Sequence, residues 1–100
     1  MSLRGGPFSA KRGSNQSAGP SSSSNSKTLT GPEKSVRIVN YGANICFVRI
    51  GKGAQTASTA DTPIPAGTAI ILAKGEEEDT IAYISSAGTS IYIQLGSGGV

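Results

Sequence analysis

The densest run of ionisable side chains is Glu76-Glu77-Glu78-Asp79. Carboxylates hold a hard cation such as calcium when the backbone spaces them around the ion. Four consecutive acids in a turn splay to alternate sides. The run is therefore expected to be a solvated hairpin turn that also discourages mispairing of strand ends. Its charges could also meet a basic segment of a neighbour, where rim charges set orientation more than affinity. Cys46, the single cysteine, stands between Ile45 and Phe47. With no disulfide partner in the chain and no base beside it, it reads as a small buried hydrophobe. The closing Gly96-Ser97-Gly98-Gly99 shares the glycine content of a phosphate loop but not its Lys-Ser/Thr pair or its following helix, and reads as a frayed tail. Arg37 and Arg49 fall at outward strand positions, where a cross-strand ladder is preferred to a contact with acidic neighbours. The chain has no histidine. That removes imidazole acid–base chemistry, Ser–His and Cys–His nucleophiles and His-ligated metals. No enzyme, catalytic residue, metal or cofactor is expected.

The elements that would carry these residues divide the 100-residue chain in two. Residues 1–34 hold nine serines, five glycines and three prolines, and Gly13 to Ser26 lacks any large apolar side chain. Such a segment cannot offset the roughly 1–2 kcal/mol per residue lost on ordering a backbone, so it is expected to be a flexible arm. Within it Leu3 and Phe8 form a small apolar anchor flanked by Arg4, Lys11 and Arg12. Charge follows the same division. The arm has five cations against Glu33, a balance of +4, whereas residues 35–100 have four cations against five anions, giving the overall +3. A solubilising tail and a basic strap docking on an acidic protein surface both fit this pattern. Cations so dilute, without interleaved aromatics, do not suggest a nucleic-acid partner. No apolar run approaches the ~20 residues of a membrane helix, and no hydrophobic leader is expected at the start.

From Ser35 the pattern is all β. Runs of four to six β-formers, among them Val36–Val39, Ile45–Ile50, Thr68–Ala73, Thr80–Ile84 and Ser90–Leu95, alternate with glycine-bearing turns. The stretch Ala54–Gly67, with Pro63 and Pro65 pinning Ile64 in a polyproline-like piece, is expected to cross between two sheets. This predicts a small antiparallel β-sandwich or jelly-roll-like barrel over residues 35–100, with an extended N-terminal arm over 1–34. Alternation places Val36, Ile38, Cys46, Val48, Ile50, Ile70, Leu72, Ile91, Ile93 and Leu95 on the inner face. The opposite face is also apolar. Strands apolar on both sides are buried on both sides, and a fold this small is marginal alone. Val39, Tyr41, Phe47, Ile71 and Tyr92 are therefore expected at a subunit interface, with Phe47 and Tyr92 dominant because aromatics anchor interface cores.

Three phrases carry a resemblance: Val36-Arg37-Ile38-Val39-Asn40-Tyr41-Gly42-Ala43-Asn44, then Cys46-Phe47-Val48-Arg49-Ile50-Gly51, then Ala60-Asp61-Thr62-Pro63-Ile64-Pro65-Ala66-Gly67-Thr68. Residues 35–99 resemble small virion proteins of tailed bacteriophages, above all capsid cement (decoration) proteins. The resemblance implies a β-sandwich or jelly-roll module on the outer capsid at local symmetry axes. It implies a homo-oligomer, dimer or trimer, that staples adjacent major capsid protein subunits with an N-terminal arm. The protein would be made in the host cytoplasm, reside on the virion surface and bind neither nucleic acid nor membrane. The alternatives are a head–tail or tail-fibre component of the same fold and a glycan-binding adsorption module.

Overall fold

The computed structural model describes residues 8–99. Among them run nine strands and no helix: β1 Ser9–Ala10, β2 Gln16–Ala18, β3 Asn25–Thr28, β4 Ser35–Asn40, β5 Cys46–Gly51, β6 Thr62–Ile64, β7 Thr68–Ala73, β8 Thr80–Ile84 and β9 Ile91–Ser97. They form two antiparallel sheets that make a small β-sandwich. The first sheet has the order β1-β9-β4-β7, with β2 also paired to β9. The second has the order β3-β8-β5-β6.

The core follows from period-two alternation. Val36 and Ile38 of β4 and Ile91, Ile93 and Leu95 of β9 pack with Cys46 and Val48 of β5, Ile64 of β6 and Ile81 and Tyr83 of β8. Ile50, Ile70 and Leu72 complete the cluster as half-buried members. All ten residues expected on the inner face belong to this cluster, which also takes in Leu29, Ile64, Ile81 and Tyr83. Each large aliphatic side chain removed from water in this way contributes roughly 1.5–3 kcal/mol. The chain crosses between sheets where the two prolines predict it. Pro65, Ala66 and Gly67 turn it from β6 into β7, with Gly67 at φ 74° and the Pro65 carbonyl accepting from the Thr68 N–H at 3.3 Å. Ile64 is not in a polyproline piece. It lies in a short edge strand opposite Cys46, fully buried.

The expected arm needs a larger correction. Among the described residues, the boundary at 34/35 does not separate a tether from a domain. β1 and β2 add to the edge of β9, and β3 adds to the edge of β8. Composition weighs only the apolar surface that the segment itself can bury. Strands β9 and β8 offer rows of N–H and C=O groups that the segment can satisfy, so its order comes from ladder hydrogen bonds. A few anchors supplement these. Leu29 is 1% exposed within the core. The Pro20 carbonyl accepts from the Thr89 N–H at 3.1 Å, and the Leu29 N–H donates to the Asp79 carbonyl at 2.7 Å. Buried Lys74 donates from Nζ to the carbonyls of Gly31 and Glu33, both at 3.1 Å, and of Gly75 at 3.3 Å. The small sandwich is thus completed in part by its own N-terminal segment. The C-terminal glycines are not frayed either: Gly99, at φ 84°, lies so close to Ile71 that an added Cβ would stand 2.7 Å from Cδ1.

Candidate interaction surface

The outer face of the first sheet brings together four of the five expected interface residues. Register sets Val39 of β4 between Ala69 of β7 and Tyr92 of β9, and Arg37 between Ile71 and Gln94. Tyr41, just past β4, donates its N–H to the Ser90 carbonyl at 3.0 Å. Its ring stacks on Tyr92 with centroids 4.5 Å apart and planes 20° from parallel. Tyr41 is 52% exposed and Tyr92 40%, while Val39 and Ile71 are half-buried. Arg37 Nη1 donates to Gln94 Oε1 at 3.3 Å, which is the cross-strand ladder anticipated for this arginine. The result is an aromatic and aliphatic strip crossed by one polar rung.

Asn40 holds the strip in shape, a role sequence reasoning missed. Its side chain is fully buried at the end of β4. Nδ2 donates to the carbonyls of Asn44 and Ile64, both at 2.9 Å. Oδ1 accepts from the Gly42 N–H at 3.2 Å and from the Thr89 hydroxyl at 2.7 Å. One amide thereby ties the 41–44 turn to β6 and to the loop before β9, and fixes Tyr41 against Tyr92. The available signal was the Asn-x-Gly spacing, since an Asn side chain readily accepts from the N–H two residues on. Gly42 is required by close approach: an added Cβ would stand 2.5 Å from the Ser90 nitrogen. No comparable signal marks Lys74.

Phe47, the fifth expected residue, is elsewhere. It lies half-buried on the outer face of the second sheet, opposite Ile84 and Pro63. Phe47 and Tyr92 therefore do not share one contact surface. Alternation assigned both to outer positions but could not say that β5 and β9 belong to different sheets. Of the arm residues, Leu3 and Arg4 lie outside the described residues. Phe8 is half-buried over the first sheet: a Cβ added at Gly96 would stand 2.6 Å from its ring. This aromatic is engaged within the molecule. Lys11 is partly engaged as well, with Nζ 3.3 Å from the Thr30 carbonyl and 3.5 Å from the Glu33 carboxylate. Arg12 is exposed in the turn between β1 and β2.

The acidic turn is internally occupied. Glu76 lies 3.6 Å from Lys34 and Glu77 3.4 Å from Lys52. Glu78 accepts from the Gly75 N–H at 2.6 Å. Asp79 accepts from the Gly53 N–H at 3.0 Å, and this bond, with help from the Thr80 hydroxyl, holds its carboxyl below the usual value. These contacts agree with a closed, solvated turn but not with a hairpin: the turn carries the chain from β7 of the first sheet to β8 of the second, and these strands do not pair. Burial pushes the Cys46 thiol up to about 11, which suits a hydrophobe and not a nucleophile. The Tyr92 phenol is raised by the Tyr41 hydroxyl beside it, as hydrogen-bond partner and then as a like charge. A cleft of about 480 Å³ opens between Val48–Ile50, Ala60–Thr62 and Leu72–Ala73, with the Arg49–Asp61 pair, 3.9 Å apart, on one wall. No family model, curated protein or solved structure matches this chain.

Proposed function

We propose that this protein is a structural virion protein that binds the outer capsid and staples adjacent major capsid protein subunits. The observation that carries the reading is the exposed Tyr41–Tyr92 stack, continued by Val39 and Ile71 on one sheet face. Aromatic side chains with a well-supported backbone are the usual anchors of protein contacts. The resemblance of residues 35–99 to capsid cement proteins supplies the class of partner. Residues 8–34 act in this reading as part of the rigid module, and exposed Arg12 adds positive charge at its rim.

The test is co-sedimentation of the full chain with shells assembled from the major capsid protein of the same virus. Replacing both Tyr41 and Tyr92 by alanine is expected to weaken binding at least tenfold while the circular dichroism spectrum persists. Undiminished binding by that variant overturns the proposal. Copy number separates cement from a head–tail or tail-fibre part: hundreds per particle for the first, a handful for the second. The same exposed tyrosine pair also favours a second reading, a glycan-binding adsorption module, because sugar C–H faces stack on exposed rings. Binding to a glycan array, lost in the same double variant, would select that reading instead.

A further inference from the structure

A β-sandwich with open sheets has four edges, and natural proteins protect such edges against unwanted pairing. Three edges of this molecule carry recognisable protection. On the β9 side of the first sheet the edge is split between β1, two residues long, and β2, three residues long, with a turn between them. The edge strand β3 is Asn-Ser-Lys-Thr, polar and bearing a lysine. The edge strand β6 is three residues long and contains Pro63, which cannot donate. The fourth edge is β7, Thr-Ala-Ile-Ile-Leu-Ala, six residues without charge, proline or glycine. Among the described residues, no strand pairs with its open side.

The hydrogen-bond phase shows what β7 offers. The Lys74 N–H donates to the Lys34 carbonyl at 2.7 Å. By alternation, Leu72 and Ile70 exchange bonds with Val36 and Ile38 of β4. On the far side of β4, the Tyr41 N–H bond to the Ser90 carbonyl, 3.0 Å, has the complementary phase. Ala69, Ile71 and Ala73 thus direct their N–H and C=O groups away from the molecule.

We propose that β7 is a self-association edge, pairing antiparallel with β7 of a second copy about a two-fold axis at Ile71. Registers that pair outward-directed residues with one another preserve both the ladder and the two faces of the sheet, and the one centred on Ile71 engages all three of these residues in each copy. Centring on Ile71 sets Ile71 opposite its own counterpart, Ala69 opposite the partner's Ala73 and Ile70 opposite the partner's Leu72. The inner row stays apolar and continuous. On the outer row the small alanines flank the isoleucine pair. No like charges meet within the strand, and the acidic 76–79 turns fall at opposite ends of the paired strands. The partner's inner row extends over the mouth of the cleft beside Leu72 and Ala73. Because both copies use the same edge, the assembly closes as a dimer and leaves only protected edges outside, whereas head-to-tail pairing would continue indefinitely. Six residues of edge make a small contact, so the dimer is expected to dissociate on dilution. The inference concerns the chain alone and is tested without any capsid.

The experiment is light scattering on the full chain across a concentration series, with two variants. Ile71→Lys places a charge on the edge. Ala69→Pro removes an outward N–H at a position where an edge strand tolerates proline. The wild-type mass should rise towards twice that of the chain, and both variants should remain monomeric with unchanged circular dichroism. A third variant guards against misfolding of the first two. Ile71→Cys should be joined into a dimer by a short bis-maleimide, whereas Thr28→Cys on β3 should not; buried Cys46 stays silent because its thiol is raised to about 11. A monomer at every concentration overturns the proposal. So does a dimer that survives both edge variants, or one that crosslinks equally through Thr28→Cys.

Discussion

In β4, Val36 and Ile38 are sealed from solvent and the strand has a partner on either side. In β2 and β3 most side chains face water, and the fully buried large side chains beside them are Pro20, two residues past β2, and Leu29, just beyond β3. Residues 35–97 and residues 8–34 both form strands, but for different reasons. The first set is driven by apolar side chains leaving water, which is non-directional and cooperative across the core. The second set is templated: its backbone fills hydrogen-bonding positions that β8 and β9 have already defined. The lesson is that a serine-rich, apolar-poor segment can be ordered when it lies on an edge whose own backbone groups need partners.

The sharpest way to break this comparison is to empty the core. Ile38→Ala is expected to cost about 2–5 kcal/mol, from lost transfer energy and the cavity left behind. Both regions should unfold together in a urea titration, since the template disappears with the core. Separate transitions would show that residues 8–34 do not depend on the sheets they flank. Leu29→Ala is expected to cost about 2 kcal/mol, near the low end for such truncations, because a site beside an edge strand can relax. A free tether would show no effect on global stability.

Alkali tests the comparison from another side, because Cys46 and Tyr83, whose protons burial holds more tightly, both lie within residues 35–97. Burial raises the Cys46 thiol from 9.0 to about 11, and burial also raises the Tyr83 phenol. Both groups hold their protons more tightly when folded. Their contribution is complete below the unfolded values and is lost as pH rises through the folded ones. For Cys46 the loss is on the order of 2 kcal/mol between neutral pH and about 11. Urea midpoints should fall over that window, and less so in Cys46→Ala once its own truncation cost is subtracted. The smallest effect concerns the link between the regions at the surface. Lys34 and Glu76 are 71% and 72% exposed. Lys34→Ala should change stability by less than about 0.5 kcal/mol, since exposed ion pairs are screened and conformationally costly. A loss several times larger would make this pair a genuine clamp between the two regions.

Side-chain alternation alone determined a good deal of this protein. Five of the six strands from Ser35 onward, their inner faces, the crossing at Pro65-Ala66-Gly67 and the outward placement of Val39, Tyr41, Ile71 and Tyr92 follow from period-two patterning and turn chemistry; β6 does not. Those are local properties, written in neighbouring residues. Other features depend on which strands become neighbours once the sheets assemble. Phe47 and Tyr92 read alike in sequence, yet strand order sends them to different sheets. Phe8 and Leu29 belong to a segment whose composition argues for disorder, and they are ordered by groups fifty residues or more further along the chain. Asn40 and Lys74 look like ordinary polar residues until the carbonyls they bind, up to 43 positions away, are brought to them. Hydrogen-bonding groups are present on every residue. Where they find partners is fixed only when the sheets assemble.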